Sequence, residues 1–224
     1  MKKQFILLTS LFLFLGLHVI NAQATQQECT IKYNLFKGDY QSKKYDDAFP
    51  NWIYLMDNCP TLSINIYKLG DKLTEARFKK ATNKTEALVL VKRVYKQRLE
   101  YFPSKDPAKV HSDYATFLVK NKLATDDEVF EILELAYSID PTRMGVKNIY
   151  RYFQGITDAN KDTNPQKVFD TYDDVLESVG EKLDDYAKKL RDLNAKVEAG
   201  QALDKRQKQN LRAYTINSKA LGQV

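Results

Sequence analysis

Residues 29–60, CTIKYNLFKGDYQSKKYDDAFPNWIYLMDNCP, decide the fold. Ile31, Leu35 and Phe36 recur at helical spacing, and Ala48, Trp52, Ile53 and Leu55 do so again. Lys43, Lys44 and Tyr45 separate the two runs. The pattern predicts two short helices folded back on each other. Pro60 stands where the second must stop, because proline has no N–H with which to continue the ladder. One such pair cannot hide its apolar faces alone, so it calls for neighbours of the same kind.

The two ends of this stretch carry the only cysteines, Cys29 and Cys59. Cys29 opens the first helix and Cys59 closes the second. In an antiparallel hairpin those ends lie side by side, so a disulfide clasping the pair is expected. Loop entropy makes such a clasp worth ~3–4 kcal/mol. A metal-binding thiol pair would call for further Cys or a nearby His, and neither is present.

An oxidising compartment is expected from the start of the chain. Lys2 and Lys3 precede an apolar run from Phe5 to Val19, and small residues follow. This predicts a secretory signal peptide over residues 1–22, cleaved after Ala22, with Ala24 as the other site. An uncleaved anchor is the alternative, but the run falls short of the ~20 residues a span needs. With Lys2 and Lys3 removed, the formal net charge of +6 becomes +4. Export argues against nucleic acid as the partner of this mild basic excess. The expected location is the periplasm, extending to the periplasmic face of the outer membrane.

The chain has 224 residues, 43% of them hydrophobic and 29% charged, which suits a globular core. Gly 8 and Pro 6 are too few for a turn-rich all-β fold. Helices are predicted over residues 26–43, 46–58, 61–80, 83–102, 108–120, 125–139, 142–159 and 164–178. Thr125 and Glu128 form a capping box, and Pro165 suits a first helical position. From Val179 the apolar residues Leu183, Tyr186, Leu190, Leu193 and Val197 step by four and three, a heptad stripe. Gly200 can cap that ninth helix and Asp204 can start a tenth. The domains expected are thus a signal peptide (1–22), helical repeats (23–178) and a longer helical hairpin (179–224), with the chain free to continue as a longer array.

These residues resemble the tetratricopeptide-repeat family, whose pattern is W-x2-L-G-x2-Y, then A-x3-F, then P. Leu35, Ala48, Trp52 and Pro60 stand at the family's Leu, Ala, aromatic and Pro positions. Lys32, Phe36 and Asp39 stand where the family has Trp, Gly and Tyr. Ile66, Leu69, Gly70 and Leu73 follow the first half of a second repeat, and Ala136 and Pro141 the end of a third. The resemblance covers about residues 29–178. It implies an all-α solenoid of antiparallel helical hairpins, like exported repeat proteins of Gram-negative envelopes. It also implies a docking groove lined by the first helix of each pair. Carried over, that groove is Thr30, Tyr33, Lys37 and Tyr40, then Ile64, Tyr67 and Asp71.

Catalytic patterns are sparse. His111 is the one histidine left after processing, so a nucleophile has no evident base. Asp158-x-Asn160-x-Asp162 has the rhythm of a calcium loop, but Thr163 and Phe169 stand where that loop needs Gly and Glu. It reads as a polar turn. Asn83-Lys84-Thr85 spells a glycosylation sequon and reads more simply as a helix start. No metal site, cofactor or catalytic residue is therefore expected. The function expected is a non-enzymatic scaffold holding an outer-membrane assembly or secretion complex together. The alternatives are a helical-fold polysaccharide-processing enzyme, which would need a deep pocket with two facing carboxylates, and an envelope glycan-binding module, which would need a stacked aromatic cleft.

Overall fold

Apolar stripes on short helices need partners, and each helix here finds one in its chain neighbour. The computed structural model describes residues 26–222, so the expected signal peptide lies outside the described residues. Nine α-helices and no strand occur among the described residues. They are α1 (residues 26–41), α2 (Tyr45–Asn58), α3 (Asn65–Lys80), α4 (Lys84–Tyr101), α5 (Pro107–Asn121), α6 (Asp126–Ile139), α7 (Val146–Asn160), α8 (Pro165–Glu198) and α9 (Lys205–Leu221). A single 3-10 turn, Pro141–Arg143, precedes α7. The fold is all-α and built of antiparallel helical hairpins, as the sequence implied. Two compact units divide the chain, Met1–Pro103 and Ser104–Val224. The break falls at the proline-bearing turn after α4, whereas position 178/179 lies inside α8.

In the first unit, Phe36, Ala48, Trp52, Leu55, Met56, Ile66, Tyr67, Leu73 and Val94 form the core. Cys29 and Cys59 are joined as a disulfide, their Cα atoms 5.9 Å apart. The decisive contact between the two pairs is made by Trp52, which is wholly buried. Its indole N–H donates to the Ile66 carbonyl at 2.9 Å. Its ring lies in the hollow over Gly70, where a Cβ would come within 2.4 Å of Nε1. The last helix of one pair thus presses a ring onto the first helix of the next.

The second unit repeats the device. Phe130 of α6 lies over Gly155 of α7, where a Cβ would come within 2.2 Å of the ring. Phe130 also stacks on Tyr152, and Tyr152 on Tyr137, with ring centres 5.9 and 4.1 Å apart. A buried polar knot ties α5 to α7. The Asn148 amide donates to the Ser112 carbonyl at 2.7 Å and to the Thr116 hydroxyl at 2.9 Å. The Gly145 N–H donates to Ser112 Oγ at 2.9 Å.

Four sequence expectations change. The helix expected from 61 starts at Asn65, because Ser63 Oγ takes the Asn65 N–H and Leu62 N–H turns back to Cys59. The helix expected from 142 is delayed to Val146, because Asp140 holds the Thr142 N–H and hydroxyl and stabilises the 3-10 turn. The eighth and ninth helices are one, α8: Gly180, next to the expected break, sits inside it with open space around its α-carbon. Ile31 and Leu35 are about half exposed, so the buried stripe of α1 is Cys29, Tyr33, Phe36 and Tyr40 instead. Pro50 lies inside α2 and forgoes the bond to the carbonyl of Asp46, a cost borne at an exposed position.

Gly70→Ala is expected to lower stability by about 1–3 kcal/mol, since the buried Trp52 ring must move. Gly38→Ala, on the open side of α1, is expected to raise it by about 0.5–1 kcal/mol through helix propensity. Urea unfolding of both variants checks the contrast. Separately, Cys29→Ser with Cys59→Ser is expected to cost about 3 kcal/mol for the 30-residue separation. The same melts, with and without reductant on the parent protein, measure it.

Candidate functional site

The seven groove residues expected from the sequence fall into three groups. Tyr33, Tyr40 and Asp71 are brought together along a line where α1 runs beside α3. The Tyr33 hydroxyl accepts from Ser63 Oγ at 3.2 Å and from Asn65 Nδ2 at 3.1 Å, at the start of α3. One to two turns on, Asp71 accepts from the Tyr95 hydroxyl of α4 at 2.7 Å. Burial, with the nearby Tyr45 and Asp71 charges, pushes the Tyr40 phenol up. Tyr40 also packs against Phe36 and Tyr45, with ring centres 6.2 and 5.4 Å apart. These side chains are therefore held in place by the fold itself.

Thr30 and Lys37 form the second group. Both are exposed, on the same edge of α1, and the Thr30 hydroxyl donates back to the Gln26 carbonyl. Tyr67 and Ile64 form the third and do not fit the groove. Tyr67 is wholly buried, its hydroxyl donating to the Pro60 carbonyl at 2.9 Å. It is a core side chain wedged against Phe102. Ile64 sits half-buried in the turn before α3 and presents no helix face. The family resemblance placed both on the groove side. Tyr67 instead shares the buried face of α3 with Ile66, Gly70, Leu73 and Thr74.

Sequence reasoning missed a cleft of ≈ 380 Å³ between α2, the end of α3 and the start of α4. Asp46, Arg77, Lys80, Asn83 and Glu86 are among its lining residues. Arg77 stacks on Phe49, 3.8 Å from the ring centre, and pairs with Asp46 at 3.1 Å. Asn83 caps α4 by accepting from the Glu86 N–H at 3.2 Å. The cleft thus carries mixed charge, and its Asp46 carboxylate already has a cation. The only sequence signal for it was the basic end of α3 meeting an Asn-capped helix start.

Two further side chains are set by burial in the second unit. His111 is half-buried, and desolvation holds its pKa below the ordinary value. Lys182 is buried, which lowers its pKa, and its ammonium donates to the Thr142 carbonyl, bracing α8 against the 3-10 turn. Among the described residues no group of three or more His, Cys, Asp or Glu is arranged to hold a metal. At the Asp158 motif, Asn160 donates back to Ile156 and Lys161 lies 3.8 Å from Asp158, the geometry of a helix end. No described helix is long and apolar enough to cross a membrane.

Set against known protein families, curated proteins and solved structures, the chain gives no match.

Burial shifts the Tyr152 phenol up to about 12 and the Tyr67 phenol well above its usual value, with neighbouring Tyr and Glu adding to each. A raised phenol binds its proton more tightly folded than unfolded. The stability it confers is complete below pH ~10 and is lost as pH rises through ~10 towards 12. Phenolate absorbance should therefore appear in two phases, an exposed-Tyr phase and a later one coincident with loss of helical circular dichroism. A single early phase with helicity intact would contradict this burial.

Proposed function

We propose that this chain is a non-catalytic docking protein of the cell envelope, an exported adaptor related in design to tetratricopeptide-repeat scaffolds. Its working surface is the line along α1 and α3, and its partner is another envelope protein of an outer-membrane assembly or secretion complex. The observation that carries this reading is the set of fixed polar aromatics: Tyr33 and Tyr40, anchored by α3 and by the core, with Lys37 and Thr30 exposed beside them. Tyr side chains give large contact area at low ordering cost, and fixing them in advance lowers that cost further. The disulfide suits an oxidising compartment and stiffens the end of the hairpin that bears this surface.

The partner would lay a segment along the exposed edge of α1. Lys37 supplies positive charge there, with the exposed Thr30 two turns before it on the same edge. A photo-crosslinking residue placed at Lys37 in intact cells should give one reproducible adduct, and the same residue at Glu86 of α4 should not. Tyr33→Ala should reduce the Lys37 adduct several-fold while leaving the melt cooperative. No reproducible adduct at Lys37, or equal adducts at both positions, would count against the proposal.

A further inference from the structure

Two helices of the second unit carry opposite charge to an unusual degree. The sequence of α6, DDEVFEILELAYSI, has five carboxylates and no basic residue. The sequence of α9, KRQKQNLRAYTINSKAL, has five basic residues and no carboxylate. On α6 the exposed face is Asp127, Glu131, Glu134, Leu135 and Ser138, with Ile139 at its edge. On α9 it is Lys205, Lys208, Arg212, Ile216 and Lys219. Each is a helical stripe by spacing. Among the described residues, none of Asp127, Glu131, Glu134, Lys205, Lys208, Arg212 or Lys219 is in an ion pair. Large apolar side chains accompany the charges: Leu135 is 49%, Ile139 43% and Ile216 55% exposed.

The two stripes also match in order. Laid parallel with Asp127 opposite Lys205, Glu131 meets Lys208 and Gln209, and Glu134 meets Arg212. Ile216 then falls between Leu135 and Ile139. Laid antiparallel with Asp127 opposite Lys219, Glu134 still meets Arg212, but Ser138 faces Lys208 and Ile216 falls beside Phe130 and Glu131, away from Leu135 and Ile139. We infer that the acidic face of α6 on one copy of this chain receives the basic face of α9 on a second copy, the two helices running parallel. Exposed ion pairs are individually weak and salt-screened. The association is therefore low in affinity and falls with ionic strength, with the Ile216 contact supplying the apolar centre. This inference rests on the second unit alone and stands apart from the α1 surface proposed above.

Sedimentation equilibrium of the purified protein tests it. At low salt the parent should show a species heavier than the monomer, weakened about tenfold on going from about 0.05 to about 0.5 M salt. The triple variant Asp127→Lys, Glu131→Lys, Glu134→Lys should be monomeric. So should Lys205→Glu, Lys208→Glu, Arg212→Glu, and both should keep the parent's circular dichroism. Mixing the two variants restores opposite charge at every α6–α9 contact, so the mixture should associate again. Ile216→Ala, an exposed and conformationally mild change, should weaken the parent's association without reversing any charge. A parent that stays monomeric at low salt overturns the inference. So do single variants that associate as the parent does, or a mixture that fails to associate. A monomeric parent whose α9 stripe instead binds phosphatidylglycerol vesicles would overturn it in favour of an anionic surface.

Discussion

The seating of the Trp52 ring over Gly70 is the contact on which the first unit depends. A helical hairpin buries one side of itself and leaves the other side apolar. Stacking the next hairpin close enough to cover that side needs a backbone that lets a large ring approach. Gly70 is that backbone, and the Ile66 carbonyl one turn earlier satisfies the indole N–H, so the ring brings no unpaired polar group into the core. Phe130 over Gly155 solves the same problem in the second unit with a ring that has no N–H to place. In both cases the ring belongs to the second helix of one pair and the glycine to the first helix of the next. The direction of stacking is thus written into where the aromatics and glycines fall.

The clasp and the wedge divide the work within the first unit. Cys29–Cys59 fixes α1 against α2 at the open end of the hairpin. Trp52 then fixes that hairpin on α3. With both in place, Tyr33 can reach Ser63 and Asn65, and Tyr40 comes close enough to Asp71 to sense its charge. The surface along α1 and α3 therefore inherits its order from two contacts that lie beneath it.

Much of this was legible from local chemistry. Both cysteines sat at ends that an antiparallel hairpin must bring together. Thr125 with Glu128 formed the capping box its spacing announced, and Asn83 capped α4. Pro165 took the first turn of α8. What escaped was whatever depends on how a helix is rolled about its axis. Tyr33 and Tyr67 have the same surface-friendly chemistry, yet Tyr67 is in the core because it shares the buried face of α3 with Ile66, Gly70, Leu73 and Thr74. Ile31 and Leu35 looked like core and are half exposed, because Cys29 and Phe36 set the buried stripe of α1. The break expected at 178/179 does not occur, since Val175, Val179 and Leu183 keep one continuous face on the core across Gly180. The pairing of Gly70 with Trp52 was visible only as two family-like positions, and their contact spans 18 residues of sequence that no local pattern connects.

The claim that the ring and the glycine act together is best tested by a double-mutant cycle on Trp52→Leu and Gly70→Ala, read as unfolding free energies. If the wedge is real, Gly70→Ala destabilises the parent but becomes neutral or stabilising in the Trp52→Leu background, where the ring no longer contests the space. The coupling should be about 1–3 kcal/mol. Equal costs of Gly70→Ala in both backgrounds would contradict the account, since the glycine would then serve the helix and not the ring.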